Sequence, residues 1–224
     1  MDIKYTNSKE DVPSPIDLRN EDDARAWADE ADRARPWREQ FRMQFAECIR
    51  ALARPTKILE IGCGPGFLAE RVLEHCANVS SYSLFDFSEP MLEMSRIRLN
   101  HFAHADFILG NFKSPDWASA LQPPYTAVLA MQSVHEIRHK RHVPSLYKQI
   151  HGLLEPSGML LVCDHIPKDS SLRWTSLHMT ADEQLKAMSD AGFVNTRVVL
   201  EIERLVLLRA EKPVSHQPLF TDEP

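Results

Sequence analysis

The stretch Lys57-Ile58-Leu59-Glu60-Ile61-Gly62-Cys63-Gly64-Pro65-Gly66 limits what this chain can fold into more than any other. Ile58, Leu59 and Ile61 form a short apolar strand pattern. Three glycines follow, and an amphipathic helical pattern begins at Phe67. Glycine at a strand-to-helix turn lets the backbone approach a ligand closely, because no Cβ stands in the way. Only seven glycines occur in 224 residues, and three fall here. Such concentration marks a site rather than general flexibility.

Downstream, strand and helix patterns alternate. Strands are predicted at 57–62, 79–86, 105–109, 125–131, 158–164, 194–200 and 203–209. Helices are predicted at 67–77, 88–100, 114–121, 142–154 and 180–191. Thr180 with Glu183 reads as a capping box, and Gly192 as a C-cap. This alternation implies parallel strands with helices on both faces. The last two strand patterns have no helix between them and predict an antiparallel hairpin at the end of the sheet. Before the alternation, residues 21–34 and about 36–53 read as two helices. Residues 1–19, with Pro13 and Pro15, read as a mobile arm, and 211–224 as a proline-containing tail.

Composition excludes several classes. The net charge of −6 and pI near 5.9 offer no general attraction to nucleic acid or an anionic membrane. No signal-peptide pattern or long apolar span is visible, so a soluble, cytoplasmic protein is expected. Cys48, Cys63, Cys76 and Cys163 lack CxxC spacing and read as reduced thiols.

The glycines are spaced two apart twice, unlike the GxGxxG of dinucleotide sites, and no GK[ST] follows. Glu60 would repel a pyrophosphate and favour a ligand carrying positive charge, such as an amine or a sulfonium. The run Glu60-Ile61-Gly62-Cys63-Gly64-Pro65-Gly66 resembles motif I of the class I S-adenosylmethionine-dependent methyltransferases. Asp86, followed by Phe87-Ser88-Glu89-Pro90-Met91-Leu92, lies where that family has an acidic residue for the ribose hydroxyls. A carboxylate there accepts two hydrogen bonds from a diol. Gly110-Asn111-Phe112 stands where the family often has an aspartate near the adenine amino group, and Asn111 departs from it. Tyr125 to Gln132, Leu153 to Gly158 and Ala191-Gly192-Phe193 are similar to later family segments.

The resemblance, over about residues 37–210, implies a Rossmann-like, doubly wound, mostly parallel seven-stranded α/β sheet with an antiparallel last strand and an N-terminal helical cap. The expected organisation is one domain over 20–210, with the cap at 20–55 and the core at 56–210. It also implies S-adenosylmethionine as cofactor, held by Glu60, Gly62, Cys63, Gly64, Asp86, Phe87, Met91, Asn111, Phe112 and Gln132.

His135-Glu136-Ile137-Arg138-His139 matches HExxH, which on a helix would place two histidines for zinc with Glu136 as base. The context argues against this hydrolase reading. The match follows directly on a strand, and Arg138, Lys140 and Arg141 add positive charge beside the supposed metal. No metal site is expected. As the loop after the fourth strand, the same segment offers His135 and Glu136 as catalytic residues, orienting an acceptor or taking its proton.

The place after that strand holds Met131-Gln132-Ser133-Val134 rather than DPPY or NPPF, which argues against methylation of nucleic-acid bases. A small-molecule acceptor is expected, with Trp27, Arg38 and His135 as its contacts. Arg35 or Arg38 suits a carboxylate, and Trp174 and His178 mark a second region for acceptor contacts. A non-catalytic binding module remains the alternative, since fold does not dictate chemistry.

Overall fold

In the computed structural model, residues 11–31 and 33–214 are described. Strands β1 (Thr56–Ile61), β2 (Val79–Asp86), β3 (Ala105–Leu109), β4 (Tyr125–Met131), β5 (Leu154–His165), β6 (Val194–Ile202) and β7 (Leu205–Glu211) form one sheet in the order β3-β2-β1-β4-β5-β7-β6. The first five pair in parallel, and β7 runs antiparallel between β5 and β6. The expected terminal hairpin therefore folds back into the sheet, with β6 as the edge. Strand order reverses between β1 and β4, the point where open α/β sheets bind ligands beyond their strand ends.

Helices α1 (Glu21–Ala31), α2 (Arg38–Arg50), α3 (Phe67–His75), α4 (Glu89–Arg98), α5 (Val143–Leu153), α6 (Leu172–Leu177) and α7 (Ala181–Asp190) complete the chain. Side chains along β1 alternate between faces, as the strand period requires. Leu59 and Ile61 pack into a core with α5 and α7, whereas Ile58 packs into a second core with α2 and α3. The capping box at Thr180 and Glu183 is formed.

Several element boundaries differ from the sequence expectation. The helix expected at 114–121 is a short 3-10 turn, Trp117–Ala120. Pro115 on one side and Pro123 and Pro124 on the other flank that segment, leaving room for one turn. Strand β5 starts at Leu154 rather than 158, because Leu154 pairs with Tyr125 before the register shifts. Helix α6 was not anticipated, and its six residues are too short for a periodic signal.

The largest difference lies in the expected arm. Its described part, residues 11–19, packs on the domain. Val12 is buried, and its N–H donates to the Arg138 carbonyl at 2.8 Å. Arg138 in turn donates through Nε to the Val12 carbonyl and through Nη2 to that of Pro13, both at 2.7 Å. The Ser88 hydroxyl donates to the Leu18 carbonyl, and Arg19 lies 4.9 Å over the Phe87 ring. Of the expected tail, residues 211–214 are described; the Lys212 ammonium donates to the carbonyls of His151 and Leu154. Residues 215–224 lie outside the described residues.

Candidate functional site

The glycine turn closes against neighbouring strands. The N–H groups of Gly62 and Cys63 donate to the Phe85 carbonyl at 2.7 and 3.2 Å. Gly62 has φ +66°, and a Cβ there would lie 2.4 Å from Ser133 Cβ. The Ser133 hydroxyl itself donates to the Ile61 carbonyl at 2.7 Å. Gly64 also has a positive φ, +56°, but an added Cβ would meet nothing within 4 Å. Packing thus demands Gly62, whereas Gly64 faces open space.

That space is a cavity of about 490 Å³ at the carboxyl ends of the central strands. Asp86 closes one side. Its carboxylate accepts from the Gly64 N–H at 2.8 Å and the Ser88 N–H at 2.9 Å. Burial pushes Asp86 up to about 6, against the pull of those bonds. Glu60 lies behind the turn and accepts from the Tyr82 hydroxyl at 2.6 Å. Burial pushes it up to about 8, so it is largely protonated at neutral pH.

The cavity wall includes Glu60, Gly62, Cys63, Gly64, Asp86, Phe87, Met91, Phe112 and Gln132, all expected for the cofactor, together with Trp27, Arg38, His135 and Glu136. Asn111 is not part of it. Its Oδ1 accepts from the Lys113 N–H at 3.0 Å and its carbonyl from the Ser114 N–H at 2.8 Å, so its amide oxygen serves its own turn. Pro15, Ile16 and Leu18 of the N-terminal segment also line it. Arg38 sits 5.4 Å from the Trp27 ring and is buried.

At the other end stand three histidines. His135 and Glu136 fall on a 3-10 turn, Val134–Ile137, while His139 is extended. The two HExxH histidines therefore share no α-helix. Instead His135 meets residues far along the chain. Its Nδ1 lies 2.6 Å from Asp164 Oδ1, and its backbone N–H donates to Asp164 Oδ2 at 2.9 Å. The rings of His135, His165 and His178 form a triangle with centroid separations of 5.3–5.6 Å. Ligand-capable atoms of His135, Asp164 and His178 lie within 4.8 Å of one another.

The charges in this cluster are coupled. Burial disfavours an imidazolium at His135, but Asp164 and Glu136 outweigh it and hold the ring protonated well above neutral pH. Asp164 is correspondingly held low by His135 against its own burial. Burial and the His135 charge keep His178 neutral down to about 4, and burial is the main cause at His165, which falls to about 3. His135 is thus a charged donor in the resting site, whereas the sequence alone suggested an imidazole titrating near neutrality.

Asp164 and His165 were not singled out from sequence. A signal existed, since both end the fifth strand, where α/β sheets present ligand-facing residues. Nothing local, however, distinguishes the buried pairing of Asp164 with His135, 29 positions earlier.

Comparison with known proteins agrees with this geometry. Residues 58–158 match a family described as a methyltransferase domain. No curated protein sequence matches closely enough to count as a relative. Among solved structures, the chain resembles the CurJ carbon methyltransferase, with a TM-score of 0.60 and 16% identity over 71% of this chain and 49% of that one. Human N-acetylserotonin methyltransferase in complex with S-adenosylmethionine is similar at TM-score 0.66 and 16% identity, over 88% of this chain and 58% of the other. The [4+2]-cyclase SpnF is similar at TM-score 0.62 and 18% identity, over 76% and 79%. The chain spans about half the length of the CurJ enzyme. At these identities the likeness is one of fold.

Proposed function

From the match of residues 58–158 to a methyltransferase-domain family, a family that binds S-adenosylmethionine, we propose that this protein transfers a methyl group from S-adenosylmethionine to a small-molecule acceptor. One observation carries the reading. Asp86 accepts from the Gly64 N–H at the rim of a cavity into which Gly64 adds no side chain.

The residues present fit the donor. The Asp86 carboxylate suits a ribose diol, and the apolar sides of Phe87, Met91 and Phe112 suit an adenine ring. Gly62, Cys63 and Gly64 offer close backbone approach, with Glu60 behind them. Gln132 lines the cavity beside His165. When bound, S-adenosylmethionine supplies an electrophilic methyl group for in-line attack. The protein's part is alignment and exclusion of water. The N-terminal segment and Trp27 cover the cavity. His135, its Nδ1 on Asp164 and its Nε2 3.3 Å from Glu136, holds Glu136 at the acceptor end; in this state it is not the base.

Calorimetry with S-adenosylhomocysteine tests the reading. The folded protein should bind, and Asp86→Ala should weaken binding at least about tenfold, the loss of two charge-assisted hydrogen bonds. Failure of the folded wild type to bind overturns it.

A second reading is a binding module or a non-transferring enzyme. It is favoured by the absence of a neutral base at His135 and by the presence of this fold in a cyclase. Incubation with labelled donor and a broad metabolite extract separates the two, since only a methyltransferase yields labelled product.

A further inference from the structure

Charge is distributed unevenly around the cavity. The chain as a whole carries −6. Yet six arginines line this one cavity, namely Arg35, Arg38, Arg42, Arg138, Arg173 and Arg204, against Asp86, Glu136 and a largely protonated Glu60. The carboxylates of Glu60 and Asp86 lie at the glycine turn. The surplus of positive charge must therefore be compensated elsewhere.

Apart from Arg38, buried beside Trp27, the arginines fall into two groups. Arg138 is engaged with Glu136 and with the carbonyls of Val12 and Pro13. Arg42 pairs with Glu39 and stacks on Phe67, the first residue of α3, beside the glycine turn. A donor carboxylate at that end finds Arg42 nearby. Arg35, Arg173 and Arg204 differ, for no carboxylate among the described residues lies within ion-pair distance of them. They come from three separate places: the loop before α2, helix α6 and the β6–β7 turn.

Arg35 and Arg204 lie at the histidine end, and Arg173, next to Trp174 in the chain, lines the same cavity. Arg204 lies 5.7 Å from the Trp174 ring, and Trp174 stacks on His178 at 5.2 Å with 19° between planes. Arg35 is close enough to His165, and Arg204 to His178, to help keep those rings uncharged. The His135 charge is balanced by Asp164 and Glu136, so the excess is carried by the arginines. Clefts lined by one sign of charge concentrate ligands of the other sign, and arginine forks match carboxylate and phosphate groups bidentately.

We propose that the acceptor is a small anion, its carboxylate or phosphate held by Arg35, Arg173 and Arg204 against the Trp174–His178 stack. This identity of substrate class rests on the methyl-transfer reading; the anion site itself does not.

The test uses calorimetry on the full-length protein saturated with S-adenosylhomocysteine. Matched probes are titrated: benzoic, phenylacetic and indole-acetic acids, their primary amides, and phenyl phosphate. An acid or the phosphate should bind at least about tenfold tighter than its neutral counterpart, and the preference should shrink at high salt. Arg35→Ala combined with Arg204→Ala should abolish the preference while leaving S-adenosylhomocysteine affinity unchanged. The relative affinities of the acids and phenyl phosphate identify which anion the site favours. Equal binding of acid and amide, or no binding by any anion, overturns the proposal. So does a preference that survives the double substitution. Repeating the acid–amide comparison without S-adenosylhomocysteine keeps the two readings apart, because loss of donor binding alone then sinks only methyl transfer.

Discussion

Gly62 and Gly64 look alike in sequence and differ in what their missing side chains permit. Both have positive φ, which costs an L-residue of order 1 kcal/mol. At Gly62 an added Cβ also collides with Ser133 at 2.4 Å. Gly62→Ala should therefore lower stability by about 2–4 kcal/mol, combining strain with overpacking. Gly64→Ala should cost only about 1 kcal/mol, yet its methyl projects into the space assigned to the donor. Urea denaturation paired with S-adenosylhomocysteine calorimetry checks the contrast. Loss of stability should dominate in the first variant and loss of binding in the second. The glycine pattern and Asp86 were legible from sequence because the turn is local, joining residues within a few positions. The charge state of His135 was not, since Asp164 is brought to it by the pairing of β4 with β5.

At the level of elements, the alternation of strands and helices was readable because each carries its own period. Element ends were less so. Tyr125 recruits Leu154 into the sheet four residues early, and a six-residue α6 leaves no periodic trace. The N-terminal segment shows the same limit more strongly. Its prolines and polar residues read as an arm, but Val12 and Leu18 are held by Arg138 and Ser88, partners 70 to 126 positions away. It forms one wall of the cavity. Deleting residues 1–19 should accordingly speed dissociation of S-adenosylhomocysteine by about tenfold, the equivalent of about 1.4 kcal/mol of cover removed. Stopped-flow release measures this, and an unchanged off-rate would show that the segment is not a cover. Cooperative unfolding of the truncated chain confirms that the core is intact.

For the molecule as a whole, Glu60 ties stability to pH. It lies within the central strand, buried, with a folded pKa of about 8 against an ordinary 4.5. The fold thus prefers the protonated form. That preference is fully present below about pH 4.5 and fades as pH rises through 8, where the unfolded chain has already lost its proton. Glu60→Gln keeps the shape without the charge. Relative to wild type it should gain stability between pH 5 and 9 by about 2–4 kcal/mol. Urea midpoints at the two pH values check this; parallel curves would mean that Glu60 is not desolvated as the fold implies. The same whole-molecule view explains the cavity's charge. Six arginines scattered over the sequence cannot be recognised as a group until the sheet, the cap and the hairpin turn bring them to one cavity.

The sequence by itself determined the class of fold and the donor-side turn, because hydrophobic period and glycine spacing are properties of neighbours along the chain. Only the tertiary structure decided three other matters: the packing of the N-terminal segment along the cavity, the charged His135 of the Asp164 pair, and the gathering in the cavity of arginines with no carboxylate partner among the described residues. Each depends on groups that are distant in sequence and become neighbours only when the strands pair, where burial and Coulomb interactions then set their chemistry.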